Sequence, residues 1–100
     1  MALTTPYDAS AGQGMNAVAS GQVTVAATPT LIAPARPGRS AITIVQEGTT
    51  VVRLGGANVT TSNGVPLAGT QYSSFTIDGG GAVYGIVATG TQLVSYIECF

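Results

Sequence analysis

The chain has 100 residues, the size of a single domain, and a formal net charge of −1. Only 7% of its residues are charged, against roughly 25% in an average soluble domain. It contains no His and no Trp, and its three basic residues are all Arg. Acid–base catalysis, nucleophilic triads and zinc sites therefore lack the residues that they usually require. We expect no enzyme activity, no catalytic residues, no metal site and no cofactor.

The balance of charges also argues against nucleic acid as a partner. A nucleic-acid-binding domain would show a basic face, which a chain with three Arg and four acidic residues does not predict. The uncharged stretches 9–35 and 79–97 are interrupted by Gly, Thr, Gln and Ser, so neither is typical of a membrane span. Residues 1–20 do not have the pattern of a secretory signal. The single cysteine, Cys99, is expected to be a small buried side chain in a protein of the reducing cytoplasm.

The chain begins with a segment that has no strand or helix pattern. Residues 1–21 are small, polar and Gly-containing, and we interpret them as an extended N-terminal arm. From residue 22 to residue 100, short alternating runs rich in β-branched residues are separated by Gly, Pro, Asn or Asp. The predicted strands cover 22–27, 40–47, 50–54, 72–77, 82–88 and 91–98.

This spacing predicts an all-β domain over 22–100, a small β-sandwich or jelly-roll-like fold of six to eight strands. Within the strand at 40–47, alternation places Ile42 and Ile44 on one face. Alternation does not encode strand order, so jelly-roll, immunoglobulin-like and barrel topologies remain open.

Several turns are marked by their residues. Arg36 and Arg39 form the only local basic cluster, which we interpret either as a solvated turn or as a contact with an acidic protein neighbour. The Asn63–Gly64 pair is a strong hairpin signal, and Pro66 excludes the next segment from a central strand. Asp78 and the three following glycines predict a loop tip.

The last two predicted strands suggest a hairpin closed by Thr89–Gly90. In that register one face carries Ala82, Tyr84, Ile86, Leu93 and Ile97, and the other carries Val83, Val87, Val94 and Tyr96. Because both faces are largely apolar, we expect one of them to be covered by another chain. The candidate interface residues are Val83, Val87, Val94, Tyr96, Arg36 and Arg39.

The segment from residue 41 to residue 98 resembles a pattern in small virion structural proteins of tailed bacteriophages. It is carried by the sequences Val-Arg-Leu-Gly-Gly at 52–56, Val-Thr-Thr-Ser-Asn-Gly-Val-Pro-Leu at 59–67, and the runs 82–88 and 91–98. The resemblance implies a head decoration (cement) protein or a head-fibre component. A decoration protein would bind the outside of the major capsid protein lattice, often as a homotrimer, on a virion assembled in the host cytoplasm.

Two other functions are compatible with this resemblance or with the composition. The chain is alternatively a tail, collar or fibre component, or a carbohydrate- or receptor-binding module that stacks sugars on Tyr7, Tyr72, Tyr84 or Tyr96. A metal-dependent module built on Asp78 and Glu98 is disfavoured because calcium requires six to eight oxygen ligands. We interpret Asp78 as a turn residue and Glu98 as a solubility charge on an edge strand.

Overall fold

Eight β-strands form the protein in a computed structural model that describes residues 17–100. None of these described residues is helical, so none forms a helix that could cross a membrane. The strands are β1 (Val18–Val25), β2 (Thr30–Ala33), β3 (Ala41–Gln46), β4 (Val52–Gly55), β5 (Val65–Leu67), β6 (Ser74–Asp78), β7 (Val83–Ile86) and β8 (Gln92–Cys99).

The strands are arranged in two antiparallel sheets of four. Sheet 1 has the order β1-β8-β3-β6, and sheet 2 has the order β2-β7-β4-β5. Successive strands pass from one sheet to the other, except that β4 and β5 are neighbours in sheet 2. Eight strands wound in this order form a jelly roll, a double-sheet antiparallel architecture. The predicted all-β sandwich is confirmed, and the strand order supplies the topology that alternation alone left open.

The hydrophobic core lies between the two sheets. Ile42 and Ile44 are both fully buried, which confirms that they share the inner face of β3. Sheet 2 contributes Val52 and Leu54 of β4 to the same core. These side chains alternate with more exposed ones along each strand, as expected where one sheet face is packed and the other is not.

The predicted hairpin between the last two strands is wrong. β7 pairs with β2 and β4 in sheet 2, whereas β8 pairs with β1 and β3 in sheet 1. The segment around Thr89–Gly90 therefore crosses between the sheets instead of closing a two-stranded ladder. Alternation determines which side chains share a face of a strand, but it carries no information on which strand lies next to it.

The observed elements differ from the predictions most at β1, β2 and β5. β1 begins at Val18, so residues 18–21 belong to a strand and not to the arm, while residues 1–16 lie outside the described residues. β2 and β5 were not predicted because they are only four and three residues long. Pro66 lies in β5 at the edge of sheet 2, as predicted. Asn63–Gly64 ends a longer loop between β4 and β5, in which the Asn63 side chain accepts a hydrogen bond from the Thr60 amide at 2.7 Å.

Candidate functional site

Three of the predicted interface residues belong to the core. Val83, Val87 and Val94 are 4%, 1% and 0% exposed, and they pack in the cluster between the two sheets. A hairpin of β7 with β8 would have placed these valines together on one face, which we expected another chain to cover. In the observed fold these two strands lie in opposite sheets, so both turn their valines inward. These three side chains therefore lie in the core and not on an outer face of the sandwich.

Tyr96, the fourth apolar candidate, is half-buried and also faces the inside of sheet 1. Its ring lies across the edge strand at Gly21, its cross-strand neighbour. A Cβ atom on Gly21 would lie 2.8 Å from the Tyr96 hydroxyl oxygen, so a side chain at position 21 would displace the ring. Tyr96 thus covers a glycine of β1 instead of presenting its ring at an outer surface.

Arg39 is buried and is not part of a solvated turn. Its Nε donates to the Gly79 carbonyl at 3.0 Å, and its Nη1 donates to Glu98 Oε1 at 3.1 Å and to the Pro34 carbonyl at 3.3 Å. Its Nη2 donates to the Gly81 carbonyl. Every nitrogen of the guanidinium therefore has an acceptor, which offsets the desolvation cost of a buried cation. Both predictions for Arg39, a solvated turn and an exposed contact with a partner, are wrong.

Glu98 is buried as well, and its interpretation as a solubility charge on an edge strand is also wrong. It lies in β8, a central strand, where its carboxylate accepts from Arg39 and, at 3.3 Å, from Arg36 Nε. Arg36 is half-exposed, and its guanidinium carbon lies 3.9 Å from the centre of the Phe100 ring. Two arginines thus share one carboxylate, and of the two only Arg36 reaches the surface.

The outer face of sheet 1 has an unusual composition. Register and alternation place the following side chains on it: Val18, Ser20, Gln22 and Thr24 of β1; Leu93, Ser95, Ile97 and Cys99 of β8; Ala41, Thr43 and Val45 of β3; and Ser74, Thr76 and Asp78 of β6. Asp78 is the only charged residue in this set, and the Ser95 hydroxyl on the same face donates a hydrogen bond to the carboxylate of Glu47, which follows β3. The hydroxyls of Thr43 and Thr76 lie 2.8 Å apart across neighbouring strands. Cys99 is exposed here, so the prediction that it is buried is wrong.

An apolar cleft opens between the sheets on the side of the edge strands β5 and β6. It has a volume of about 370 Å³, and its walls include Leu54, Val65, Phe75 and Val83. Phe75 faces inward opposite Ile44 but remains 37% exposed, because the two sheets do not close over it. Asp78 is the charged residue at this opening.

The tyrosines that were candidates for sugar stacking are not gathered in one place. Tyr72 is 67% exposed in the loop before β6, and its φ of 67° is in the left-handed region. Tyr84 is half-buried on sheet 2 and Tyr96 faces the core, whereas Tyr7 lies outside the described residues. Of the four, only Tyr72 presents an exposed ring in the described part of the chain.

Ionisable side chains of opposite charge come together at one place in residues 17–100. No three side chains among Cys, Asp and Glu in this range lie close enough together to hold a metal ion. The close ionic group consists of Arg36, Arg39 and Glu98, whose contacts link segments of the fold. Comparison with protein-family models, with curated proteins and with solved structures found no match.

One surface and one buried contact of the fold were not predicted from the sequence. The outer face of sheet 1 combines four strands that are far apart in sequence, and no local pattern indicates that they are neighbours. β1 does carry a local signal, since residues 18–25 contain neither a charge nor a proline. The contact of Arg39 with Glu98 spans 59 residues and has no sequence signature beyond the scarcity of charges in the chain.

Proposed function

We propose that the protein is a virion structural protein of a tailed bacteriophage, a head decoration (cement) protein that binds the outside of the major capsid protein lattice and stabilises the head. The observation that carries the proposal is the outer face of sheet 1, where the four strands contribute one charged side chain, Asp78, and Glu47 adds a second carboxylate beside Ser95. A face with so few charges is suited to burial against another protein. This agrees with the role implied by the phage resemblance of residues 41–98. The proposed location is the capsid surface, after assembly in the host cytoplasm.

The chemistry of this face suits a large and repetitive contact. Apolar side chains such as Ile97 and Val45 contribute roughly 25 cal/mol per Å² of apolar surface removed from water. Hydroxyl groups such as those of Thr43 and Thr76 form hydrogen bonds at a lower desolvation cost than ions. On a symmetric lattice, many copies of such a contact act together, so each can be weak.

The first test compares two lysine substitutions on opposite outer faces. Ile97 of sheet 1 and Leu31 of sheet 2 are 44% and 43% exposed, so both variants replace a half-exposed aliphatic side chain. Heads of the encoding phage that lack this protein are incubated with each variant, sedimented and assayed for bound protein. We expect Ile97→Lys to bind at least about tenfold more weakly, because it places an unpaired charge in the contact, whereas Leu31→Lys binds normally.

Two results would contradict the proposal. The first is that the unmodified chain does not sediment with heads. The second is that Ile97→Lys binds to heads as well as Leu31→Lys does. Electron microscopy of native virions distinguishes the head from a tail, collar or fibre location, because copies on the head would follow the icosahedral lattice.

A second candidate function, glycan or receptor binding, is favoured by one observation. Tyr72 exposes its ring in a left-handed backbone conformation that a tyrosine rarely adopts, and such strained residues are concentrated at functional sites. If the protein binds sugars there, a glycan array returns hits that Tyr72→Ala loses. A blank array with the unmodified chain eliminates this candidate for the arrayed sugars.

A further inference from the structure

The four sheet edges of the sandwich are not equally protected against pairing with another chain. β2 has four residues, a register irregularity after Leu31, and Pro34 directly behind it. β5 has three residues and contains Pro66, and β6 has five residues and ends on Asp78. Short length, irregularity, proline and charge are the usual means by which proteins blunt an edge strand. β1 has eight residues and none of these features.

The backbone of β1 presents a regular row of hydrogen-bonding groups on the side away from β8. Ala17 and Phe100 exchange two backbone hydrogen bonds of 2.7 and 2.9 Å. In an antiparallel ladder such pairs alternate, so the odd-numbered residues of β1 bond to β8. The N–H and C=O groups of Val18, Ser20, Gln22 and Thr24 therefore point outward, and no strand among residues 17–100 pairs with them.

We propose that β1 pairs antiparallel with β1 of a second copy across a two-fold axis at Gly21, which joins the two copies of sheet 1 into one eight-stranded sheet. Only this register engages all four outward residues of both strands. Val18 then faces Thr24 of the second copy, and Ser20 faces its Gln22. Each of the four residue pairs forms two backbone hydrogen bonds.

The side chains of β1 suit a second copy of the same strand. Residues 18–25 carry no charge, so an isologous contact brings no like charges together. On the outer face, Ser20 beside Gln22 and Val18 beside Thr24 are compatible neutral pairs. At the axis two glycines meet, each covered from inside by its own Tyr96 ring. This inference concerns the free chain and does not depend on the proposed function.

Proline at position 22 tests the contact, because a proline fits an edge strand where its missing N–H would point to solvent. Gln22→Pro leaves the ladder with β8 intact and removes two hydrogen bonds from the proposed dimer, one per chain. Thr76→Pro is the matched control, since its N–H points to the outer edge of β6 at the opposite side of the same sheet. Circular dichroism verifies that both variants are folded.

Sedimentation velocity of the full chain over a dilution series gives the mass and the dissociation constant. We expect twice the chain mass of 9.9 kDa for the unmodified chain and for Thr76→Pro. Gln22→Pro should dissociate about 5- to 150-fold more readily, since two hydrogen bonds are lost. A monomer at all concentrations, the three-chain mass implied by the phage resemblance, or equal effects of the two prolines would overturn the proposal.

Cysteine cross-linking tests the register without proline. In a Cys99→Ser background, Ser20→Cys and Gln22→Cys are prepared as separate chains and mixed under mild oxidation. Residues 20 and 22 of facing strands would have Cα atoms about 5.5 Å apart, within the range of a disulfide. Two copies of residue 20 would be separated by roughly 8 Å, which is too far. We expect the mixture to cross-link and each variant alone to remain unlinked; efficient linkage of either variant alone would contradict the register.

Discussion

Arg39 connects three separate parts of the chain through one guanidinium group. It bonds to Pro34 before β3, to the glycines that follow β6, and to Glu98 in β8. Gly79 gives the glycine loop its turn, with a φ of 103° that a side chain would strain. The adjacent carbonyls thereby converge on Arg39. One of the few charged side chains of this protein is therefore buried, and its hydrogen bonds hold together the segments at one end of the sandwich.

We predict different stability losses for the two clustered arginines. Arg39→Ala should lower the free energy of unfolding by about 3–5 kcal/mol, because it leaves buried acceptors without their donor. Arg36→Ala should cost less than about 1 kcal/mol, because the Arg36 side chain is half-exposed and water screens its ion pair. Urea unfolding of both variants measures the difference. Equal losses would show that Arg39 is not the central residue of the cluster.

Tyr72 provides a second prediction at the scale of one residue. A left-handed backbone conformation such as that of Tyr72 costs a non-glycine residue roughly 1–2 kcal/mol. Tyr72→Gly removes this strain, but part of the gain is offset because glycine makes the unfolded chain more flexible. We expect Tyr72→Gly to be as stable as the unmodified chain or up to about 1 kcal/mol more stable, and the β-branched Tyr72→Val to be less stable. Thermal unfolding followed by circular dichroism tests this order, and a destabilised glycine variant would contradict it.

At the scale of elements, β3 and β6 hold paired side chains of very different burial. Ile44 is fully buried, whereas its cross-strand neighbour Phe75 borders the open cleft. Ile44→Ala should cost about 2–5 kcal/mol, because it leaves an enclosed cavity. Phe75→Ala should cost only about 1–2 kcal/mol although it removes more atoms, because water already reaches that site. Chemical denaturation of the two variants decides; a larger loss for Phe75→Ala would mean that the cleft is closed in solution.

The positions of the strands could be predicted from the sequence better than the pairing between strands. Alternation and turn residues located six of the eight strands, since Ile42 and Ile44 or the glycines after Asp78 leave a local signal. β2 and β5 are too short to show a period. The pairing of β8 with β1 and β3 was beyond such reasoning, because it depends on contacts with residues more than 40 positions away. The Arg39–Glu98 contact and the outer face of sheet 1 could not be predicted for the same reason, because both bring together residues that are far apart in sequence.

At the scale of the whole molecule, the observed start of β1 determines where the predicted N-terminal arm can be removed without shortening a strand. A chain that begins at Ala17 retains every residue of both sheets, whereas removal of residues 1–21 takes half of β1 from its pairing with β8. We expect the first deletion to keep the melting temperature and the second to lower it. Scanning calorimetry of the two shortened chains measures this difference.

The same shorter deletion tests the role of the arm in the proposed function. If residues 1–16 anchor the protein on heads, the chain that begins at Ala17 remains folded but no longer sediments with them. Undiminished sedimentation would eliminate the anchoring role and leave the outer face of sheet 1 as the proposed contact.

The central place of β8 in sheet 1 has a consequence for the order of folding. β1 and β3 are neighbours of β8 and not of each other, so neither can complete its ladder until residues 92–99 have been synthesised. Sheet 1 therefore assembles only after β8 has left the ribosome, and its closure joins residues as far apart in sequence as Val18 and Cys99. Until then β1 has no strand partner among residues 17–91 on either of its edges, and unpaired strand edges of this kind favour aggregation during folding.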